Sequence, residues 1–352
     1  MPSPLRLAFI GIDHPHGAGW RESLQLLAPE IEIVALVPAF DGGVASLEER
    51  YARLPRFETV EALLEFGEFD AAMICLPNRD TPAACVALAH ARKHLAVEKP
   101  GARSVGEFQP VVDAVRESGV AFQAGYLWRY DVLSNRLREM VADGRFGKLI
   151  SIEMSMVTSD LNRRGPGHYL FDRELSGSGF FSWLGCHWLD LLPYVVQQKI
   201  VGVTARIGVF GDVPTSVEDG GTIILELAGG GIATLIGGYW LPRWVTESGW
   251  TMRGSQRWLK WDPSRPGTGG ALVIHGPQPQ FHAMEETFSL PPDTTPGYGG
   301  PRTQHLFRDW LTEVRGEGKI CRNDVTSAMQ FLQLLEAIER SSDERRRVEL
   351  SY

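Results

Sequence analysis

The fold is decided near the start of the chain, where residues 5–17 read LRLAFIGIDHPHG. An apolar run at 5–12 leads into a turn that contains glycine, and a segment with helical periodicity follows at 17–27. A buried strand, a tight turn and a helix form the first half of a strand–helix–strand crossover unit. These residues therefore predict a parallel sheet, with its first turn at the carboxyl end of the first strand.

The same alternation continues as far as Gly125. The predicted strands cover residues 5–12, 31–37, 69–76, 95–97 and 120–124, and the predicted helices cover 17–27, 44–53, 60–66, 81–91 and 105–118. Strict alternation of strand and helix is typical of a doubly wound parallel sheet that is buried on both faces. We therefore expect an α/β, Rossmann-type dinucleotide-binding domain at residues 1–125.

The pattern changes after Gly125, where strands follow one another without helices between them. Helices are predicted at 133–143, 181–196, 303–314 and 324–340, with a strand at 149–157 and further strand-like runs from 201 to 261. Consecutive strands favour an antiparallel arrangement. We expect residues 126–352 to form an α+β domain with an open, mainly antiparallel sheet. The closing helix at 324–340 either covers this sheet or packs back toward the first domain.

Composition excludes several classes of partner. The 352 residues include 43 acidic and 35 basic side chains, for a net charge of −8, which repels nucleic-acid phosphates and anionic lipid. The 4 cysteines are scattered, as in reduced intracellular proteins, and no apolar run approaches the ~20 residues of a membrane span. We expect a cytoplasmic protein without nucleic-acid or membrane partners.

The turn after the first strand departs from the usual dinucleotide pattern, because Gly11 keeps the first glycine position while Asp13 and His16 occupy the other two. The Asp13 carboxylate would repel a pyrophosphate, or it caps the following helix, with Pro15 in the first turn. His14 and His16 can donate to phosphate or join Asp13 as metal ligands. No further ligand is evident, so we predict no metal site.

The position that usually binds the adenosine ribose is also altered. Pro38 stands at the end of the second strand, where an acidic residue is common, and Asp41 follows three residues later. Asp41 either binds the ribose or caps the helix that follows. The choice between NAD and NADP therefore stays open.

Glu98, Lys99 and Pro100 follow a buried strand, at the edge where open α/β sheets bind their ligands. A partly desolvated lysine can hold a substrate hydroxyl or move its proton. The alternative is an ordinary ion pair at the end of a strand.

Four motifs in this order and spacing resemble the Gfo/Idh/MocA family, the group of glucose–fructose oxidoreductase and inositol dehydrogenase. They read EKP at 98–100, GYLWRY at 125–130, GRFGK at 144–148 and GCHWLD at 185–190. The resemblance covers nearly the whole chain, including Pro77-Asn78 and the closing helix. It implies an N-terminal Rossmann domain, a C-terminal open sheet often used for oligomerisation, and NAD- or NADP-linked oxidation of sugars or polyols.

The resemblance also implies a set of site residues. Lys99 and His187 would be catalytic. Cofactor contacts are expected from Gly11, Ile12, Asp13, His14, His16, Pro38, Asp41, Pro77, Asn78, Glu98 and Lys99. Substrate contacts are expected from Lys99, Tyr126, Arg129, Arg164, His168, Tyr169, Trp183 and His187.

One departure concerns the chemistry directly, because Trp183 stands where the family has an Asp, four residues before His187. Residues four apart share a face of a helix, so the family's pair would lie side by side. Trp183 cannot accept a proton; it either stacks on a sugar ring or nicotinamide, or fills the core. Asp190 either orients His187 or is structural. Arg163, Arg164 and Arg173 either hold a carboxylated sugar or are solvated.

The function expected first is an NAD(P)-dependent oxidoreductase acting on a sugar, polyol or related cyclic alcohol. The alternatives are a non-redox lyase or hydratase acting on an oxidised sugar, and a non-catalytic sugar or nucleotide sensor. We also expect a homo-oligomer, dimer or tetramer, formed through the C-terminal sheet. Its aromatic residues are Tyr239, Trp240, Trp244, Trp250, Trp258 and Trp261.

Overall fold

The computed structural model describes residues 3–40, 49–242, 245–263, 270–276 and 285–351. The chain divides into two compact units, one of Met1–Leu127 with Thr294–Met329 and one of Trp128–Asp293 with Gln330–Tyr352. The expected boundary after residue 125 lies two residues before this division. The expectation assigned all of 126–352 to the second domain, whereas 294–329 belongs to the first unit.

The described residues of the first unit form a five-stranded parallel sheet in the order β2-β1-β3-β4-β5. Its strands are β1 Leu5–Ile10, β2 Ile31–Val37, β3 Ala71–Ile74, β4 His94–Val97 and β5 Phe122–Ala124. Every residue of β3 is buried, as expected for a strand covered on both faces. The strand order reverses between β1 and β3, which is where such sheets bind ligands at their carboxyl ends.

The helices that alternate with these strands have recognisable ends. They are α1 Gly17–Gln25, α2 Glu49–Ala52, α3 Val60–Phe66, α4 Thr81–His90 and α5 Val105–Ser118. The hydroxyl of Thr59 accepts from the Ala62 N–H at the start of α3, and Ser104 does the same for Glu107 at the start of α5. Gly67 and Gly119 end the same helices in the left-handed conformation. Both helices have the predicted bounds because these signals are local.

The returning segment is held to the first unit by side-chain contacts. In α11 Pro301–Val314, the ring of Phe307 meets Trp20 edge-on at 5.8 Å, and the carbonyl of Leu306 accepts from the Gln123 amide at 2.9 Å. The Asn323 amide donates to the carbonyls of Ala124 and Tyr126. These contacts explain why 294–329 does not group with the second unit.

The described residues of the second unit form a nine-stranded sheet in the order β13-β12-β11-β10-β6-β9-β8-β7-β14. Its strands are β6 Leu149–Thr158, β7 Ile200–Gly208, β8 Gly220–Leu227, β9 Ile232–Gly238, β10 Thr246–Gly254, β11 Trp258–Asp262, β12 Ala271–His275, β13 Glu285–Ser289 and β14 Val348–Glu349. All neighbouring pairs are antiparallel except β6 and β9. The expected fold class, a Rossmann-type domain followed by an α+β domain with an open sheet, is confirmed.

The helices of the second unit differ from the prediction at one important point. They are α6 Val132–Ala142, α7 Asp160–Arg164, α8 Arg173–Ser176, α9 Phe180–Trp183, α10 Cys186–Val196 and most of α12 Val325–Glu344. The single helix predicted at 181–196 is interrupted, because Gly185 N–H bonds to the Phe180 carbonyl and His187 N–H to that of Leu184. A Cβ at Gly185 would lie 2.9 Å from the Phe181 ring, so glycine permits this tight junction.

The aromatic cluster of the second sheet lies mainly in the core, contrary to expectation. Trp250 and Trp261 are buried and pack edge-on against each other at 5.6 Å, and Trp188 contacts both. Trp258 is exposed and stacks on His275, while Trp244 lies outside the described residues. The exposed face instead carries Ile224, Ile232 and Ile236.

No helix in the described part of the chain has the length and apolar character needed to cross a membrane.

Candidate active site

The turn after β1 lies directly on the end of β3. Gly11 has φ +73°, and a Cβ there would lie 2.0 Å from the Cys75 carbonyl oxygen. Its N–H donates to the Val37 carbonyl at the end of β2. Only glycine fits this position, so the turn is held between the ends of β2 and β3 at the reversal of strand order.

Asp13 does not cap helix α1, which corrects one of the two expectations for this residue. The residue that precedes the helix is His16, and no side chain caps it. The Asp13 carboxylate instead accepts hydrogen bonds from the backbone N–H groups of Ala39 at 2.8 Å and Phe40 at 2.7 Å. The charge that was expected to repel a pyrophosphate is therefore held against the residues that follow β2.

The two histidines of the turn contact other residues of the first unit. His14 is buried, and its Nδ1 accepts from the His16 N–H at 3.0 Å. The His16 ring stacks on Tyr298 at 4.4 Å, and its Nδ1 lies 3.8 Å from Glu98 Oε1. Within the described residues, no group of three or more His, Cys, Asp or Glu side chains is arranged to hold a metal ion.

Glu98 and Lys99 form a buried pair after β4. The Lys99 side chain is fully buried, its Nζ lies 3.9 Å from Glu98 Oε1, and the Trp20 indole donates to Glu98 Oε2 at 2.6 Å. Burial would raise the pKa of Glu98, but the polar contact with His16 and the charges of His16, Lys99 and His14 lower it to about 2. Glu98 is therefore ionised at neutral pH. The pair at the end of the strand is therefore buried, and a role of Lys99 in binding a substrate hydroxyl stays a prediction.

The residues around the turn fit a dinucleotide. Among the described residues, the N–H groups of Ile12 and Asp13 have no protein acceptor, and the Asp13 side chain is turned away onto Ala39 and Phe40. Free backbone N–H groups ahead of a helix suit a pyrophosphate. Pro38 adjoins the Asp13 partners, while Asp41 lies outside the described residues.

Pro77 and Asn78 follow β3 at the same sheet edge. The Pro77 carbonyl accepts from the Asp80 and Thr81 N–H groups and opens helix α4. Pro77 is buried, Asn78 is half-buried.

Arg129 and Asp190 pair within the second unit. The guanidinium donates to both carboxylate oxygens, with a length of 2.9 Å at Nε, and it packs on Tyr194 at 5.5 Å. Burial raises the pKa of Asp190, against the opposing effect of Arg129. Asp190 thus holds Arg129 and not the imidazole of His187. Tyr126, three residues before Arg129 in the GYLWRY motif, is buried in the first unit.

Trp183 and His187 lie on either side of the junction between α9 and α10. Both are buried, at 4% and 5% exposure, and the Cys186 thiol donates to the Trp183 carbonyl. Because the helix is interrupted at Leu184 and Gly185, the side-by-side geometry expected for residues 183 and 187 of one helix does not apply. The Arg164 guanidinium lies 6.0 Å from the centre of the Trp183 ring.

The arginines of the preceding loop already have partners. Arg163 and Arg164 both pair with Asp160, and Arg164 Nη1 lies 3.5 Å from His168 Nε2. His168 in turn lies beside Tyr169, with ring centres 4.9 Å apart.

Arg173 donates to the carbonyls of Ser216 and Gly177. A site for a carboxylated sugar built from these three arginines is not favoured.

Neither Glu218 nor Tyr239 of the second unit was expected at the site, and Tyr239 was expected in the oligomer interface. Glu218 accepts from Ser178 Oγ at 2.9 Å and from the N–H groups of Gly179 at 2.8 Å and Phe181 at 3.1 Å. It therefore anchors the start of α9. Tyr239 packs on Phe180 with a buried hydroxyl that has no partner among the described residues. No local signal marks either residue, because their contacts join distant parts of the chain.

A cavity of about 490 Å³ adjoins Tyr239 in the second unit. Arg206, Asp219 and Trp240 are among its lining residues, and Trp183 and His187 are not. Asp219 already accepts from the Trp240 indole and from the N–H groups of Phe210 and Gly211. The cavity is therefore distinct from the residues expected to do the chemistry.

Comparison with known proteins identifies the two parts of the chain. Residues 5–126 match the model of an oxidoreductase family with an NAD-binding Rossmann fold, and residues 134–260 match the GFO/IDH/MocA C-terminal domain. These matches confirm the resemblance, the expected nicotinamide cofactor, NAD or NADP, and the oxidoreductase class.

Two curated relatives and two solved structures illustrate the similarity. D-glucoside 3-dehydrogenase from Escherichia coli K12 is 28% identical over 66% of this chain and 70% of that enzyme. Myo-inositol 2-dehydrogenase from Thermotoga maritima is 22% identical over 66% of this chain and 67% of that enzyme.

An oxidoreductase domain protein from Kribbella flavida shares the fold with a TM-score of 0.86 at 20% identity, over 99% of this chain and 100% of that chain. Levoglucosan dehydrogenase in complex with NADH does so with a TM-score of 0.87 at 16% identity, over 99% of each chain. The chain belongs to the GFO/IDH/MocA family of oxidoreductases.

Proposed function

We propose that the chain is an NAD-linked dehydrogenase that oxidises a hydroxyl group of a sugar, polyol or related cyclic alcohol. The observation that carries this proposal is the fully buried Lys99 beside an ionised Glu98 at the carboxyl end of β4. Relatives named for glucosides, inositols and levoglucosan support the substrate class.

Each catalytic residue has a separate role. A bound nicotinamide supplies the hydride acceptor. Lys99 holds the substrate hydroxyl and relays its proton, and the fixed carboxylate of Glu98 keeps the lysine in position. His187 acts as a hydroxyl ligand or as an acid or base. Trp183 provides an apolar surface for the ring of the substrate, and Tyr126, Arg164, His168 and Tyr169 supply polar contacts.

The test is a screen of sugars and polyols for NADH formation at 340 nm, repeated with Lys99→Ala. We expect the variant to lose at least about 100-fold in kcat, the range lost with a general acid or base. Lys148→Ala, which removes an exposed lysine, serves as the control and should remain active. An active Lys99→Ala enzyme contradicts the assignment.

One observation favours a second candidate, a non-redox lyase or hydratase that acts on an oxidised sugar. Trp183 stands in place of the family's Asp, and Asp190 is paired with Arg129. This reading requires product to form without net change in cofactor absorbance. A ligand that raises the melting temperature and is never converted would favour a sensor instead.

The assembly and the location are part of the proposal. The exposed sheet face carries Ile224, Ile232 and Ile236 at 43%, 49% and 48% exposure, a surface that suits a second copy of the chain. We expect the double variant Ile224→Glu with Ile236→Glu to be a monomer where the wild type is a dimer or tetramer, as measured by light scattering. A monomeric wild type contradicts this.

The 4 cysteines form no disulfide, which supports a cytoplasmic location. Cell fractionation tests it.

A further inference from the structure

Two consecutive backbone N–H groups after β2 point at one carboxylate. Ala39 donates to Asp13 Oδ1 at 2.8 Å and Phe40 to Asp13 Oδ2 at 2.7 Å. Successive N–H groups of this kind form a small concavity that binds anions. In this chain the concavity holds an anion that the glycine turn itself supplies.

The place of this concavity determines what it can do. The adenosine ribose of a bound dinucleotide lies at the carboxyl end of the second strand, and NADP differs from NAD by a phosphate on its 2′-hydroxyl. Val37 ends β2, so Ala39 and Phe40 lie where that phosphate would seek donors. A phosphate there would meet the Asp13 charge and would have to displace the carboxylate from both N–H groups.

The residues that directly follow β2 carry no cation. Residues 38–49 read PAFDGGVASLEE and contain no lysine or arginine; the first basic residue is Arg50, and Arg56 forms a backbone bridge with Leu36 near the end of β2. NADP sites commonly use an arginine at this place. Each Asp13 oxygen accepts one backbone N–H and keeps a lone pair that can accept a ribose hydroxyl.

We infer that Asp13 determines cofactor specificity, by accepting hydrogen bonds from the ribose hydroxyls of NAD and excluding the 2′-phosphate of NADP. Asp13, which lies in the glycine turn, thus performs the role of the acidic residue that is common at the position of Pro38. The inference rests on the proposed function, because it assumes that the turn binds a dinucleotide.

The test is calorimetric titration of the whole protein with NADH and with NADPH. Wild type should bind NADH at least tenfold more tightly. Asp13→Asn should reduce that ratio at least fivefold. Asp13→Gly should reduce it further, because it leaves both N–H groups open to the phosphate. Melting temperatures in the absence of ligand show whether each variant is folded. If one variant does not fold, the affinity ratio of the other still tests the inference.

Two controls sharpen the result. Asp113→Asn removes the same charge from the exposed face of α5, where the carboxylate accepts only from Gln109, and should leave the ratio unchanged. Asp41→Asn tests the other acidic residue near the ribose position and should change the ratio less than Asp13→Asn.

The outcomes separate this inference from the proposed function. Equal affinity for NADH and NADPH in wild type, an unchanged ratio in both Asp13 variants, or a change confined to Asp41→Asn would overturn the inference and leave NAD-linked function standing. Failure of wild type to bind either dinucleotide at millimolar concentration would overturn both.

Discussion

The glycine turn of the first unit and the α9–α10 junction of the second each contain a residue that departs from the family pattern, and the two departures end differently. Asp13 finds two backbone donors, and its charge is accommodated. Trp183 replaces an acid, and the carboxylate of Asp190 does not take its place, because it holds Arg129. The effect of a changed motif residue on a site therefore depends on the contacts that its side chain makes. In the turn that is expected to bind the cofactor, the new charge is paired, whereas the α9–α10 junction lacks the family's acid.

The largest expected effect tests whether Asp190 is structural. Asp190→Asn leaves the largely buried Arg129 without its counter-charge and should lower the free energy of unfolding by about 3 kcal/mol. Urea denaturation measures this loss. Glu153→Gln, which breaks an exposed pair with Arg253, should change stability little. If Asp190→Asn kept full stability and lost activity, Asp190 would act on His187. The α9–α10 junction would then still have an acidic residue for the chemistry, in place of the one missing at Trp183.

The next effect concerns Glu339, whose charge interacts with that of Glu218 at the start of α9. Burial and the nearby charge of Glu218 raise the pKa of Glu339 from 4.5 to about 7, against a hydrogen bond from Ser178. The native state therefore binds this proton more tightly than the unfolded state, and stability falls as the pH rises from about 4.5 to about 7.

Glu339→Gln removes this dependence. It should make the protein more stable than wild type by about 1–3 kcal/mol at pH 8, with the difference vanishing near pH 4. Asp343→Asn, an exposed change on the same helix, is the control for net charge. Parallel stability curves for wild type and Glu339→Gln between pH 4 and 8 would contradict the raised pKa.

A smaller effect separates binding from chemistry at Trp183. Because an indole cannot transfer the hydroxyl proton, Trp183→Ala should raise KM about tenfold, equivalent to about 1.4 kcal/mol, and leave kcat within about threefold. Trp183→Phe keeps an aromatic face and should resemble wild type. Steady-state kinetics decide the matter. A 100-fold loss of kcat at constant KM would mean that the second region does chemistry through this residue.

The smallest effect tests the hydrogen bonds that the Asp13 carboxylate accepts in the turn after β1. Asp13→Asn replaces one carboxylate acceptor with a donor and should lower the free energy of unfolding by about 1 kcal/mol, the worth of one hydrogen bond. Thermal unfolding without ligand measures the loss. If stability did not change, the two bonds to Ala39 and Phe40 would not hold the turn, and the contrast between the two regions would fail.

Local signals explain why much of the first unit could be predicted from the sequence. The bounds of α3 and α5 follow from capping hydroxyls and terminal glycines that lie within a few residues of each helix end. The buried strands follow from continuous apolar runs. Lys99 and His187 were identified through motifs, and their roles remain a prediction.

What the sequence did not reveal depends on contacts between distant residues. The contacts that Asp13 makes were not among the alternatives considered for it, because its partners lie 26 and 27 residues away. The Glu218 anchor joins residues 37 to 40 positions apart. The return of 294–329 to the first unit depends on packing such as that of Phe307 against Trp20. Periodicity and spacing carry no information about such pairs.

Thermal melting of the wild-type protein with and without NADH shows whether the altered turn still binds the cofactor. At 100 times its dissociation constant, NADH should stabilise the native state by about 2.7 kcal/mol, which raises the melting temperature of a 352-residue protein by about 4 °C. An unchanged melting temperature at millimolar NADH would contradict the account.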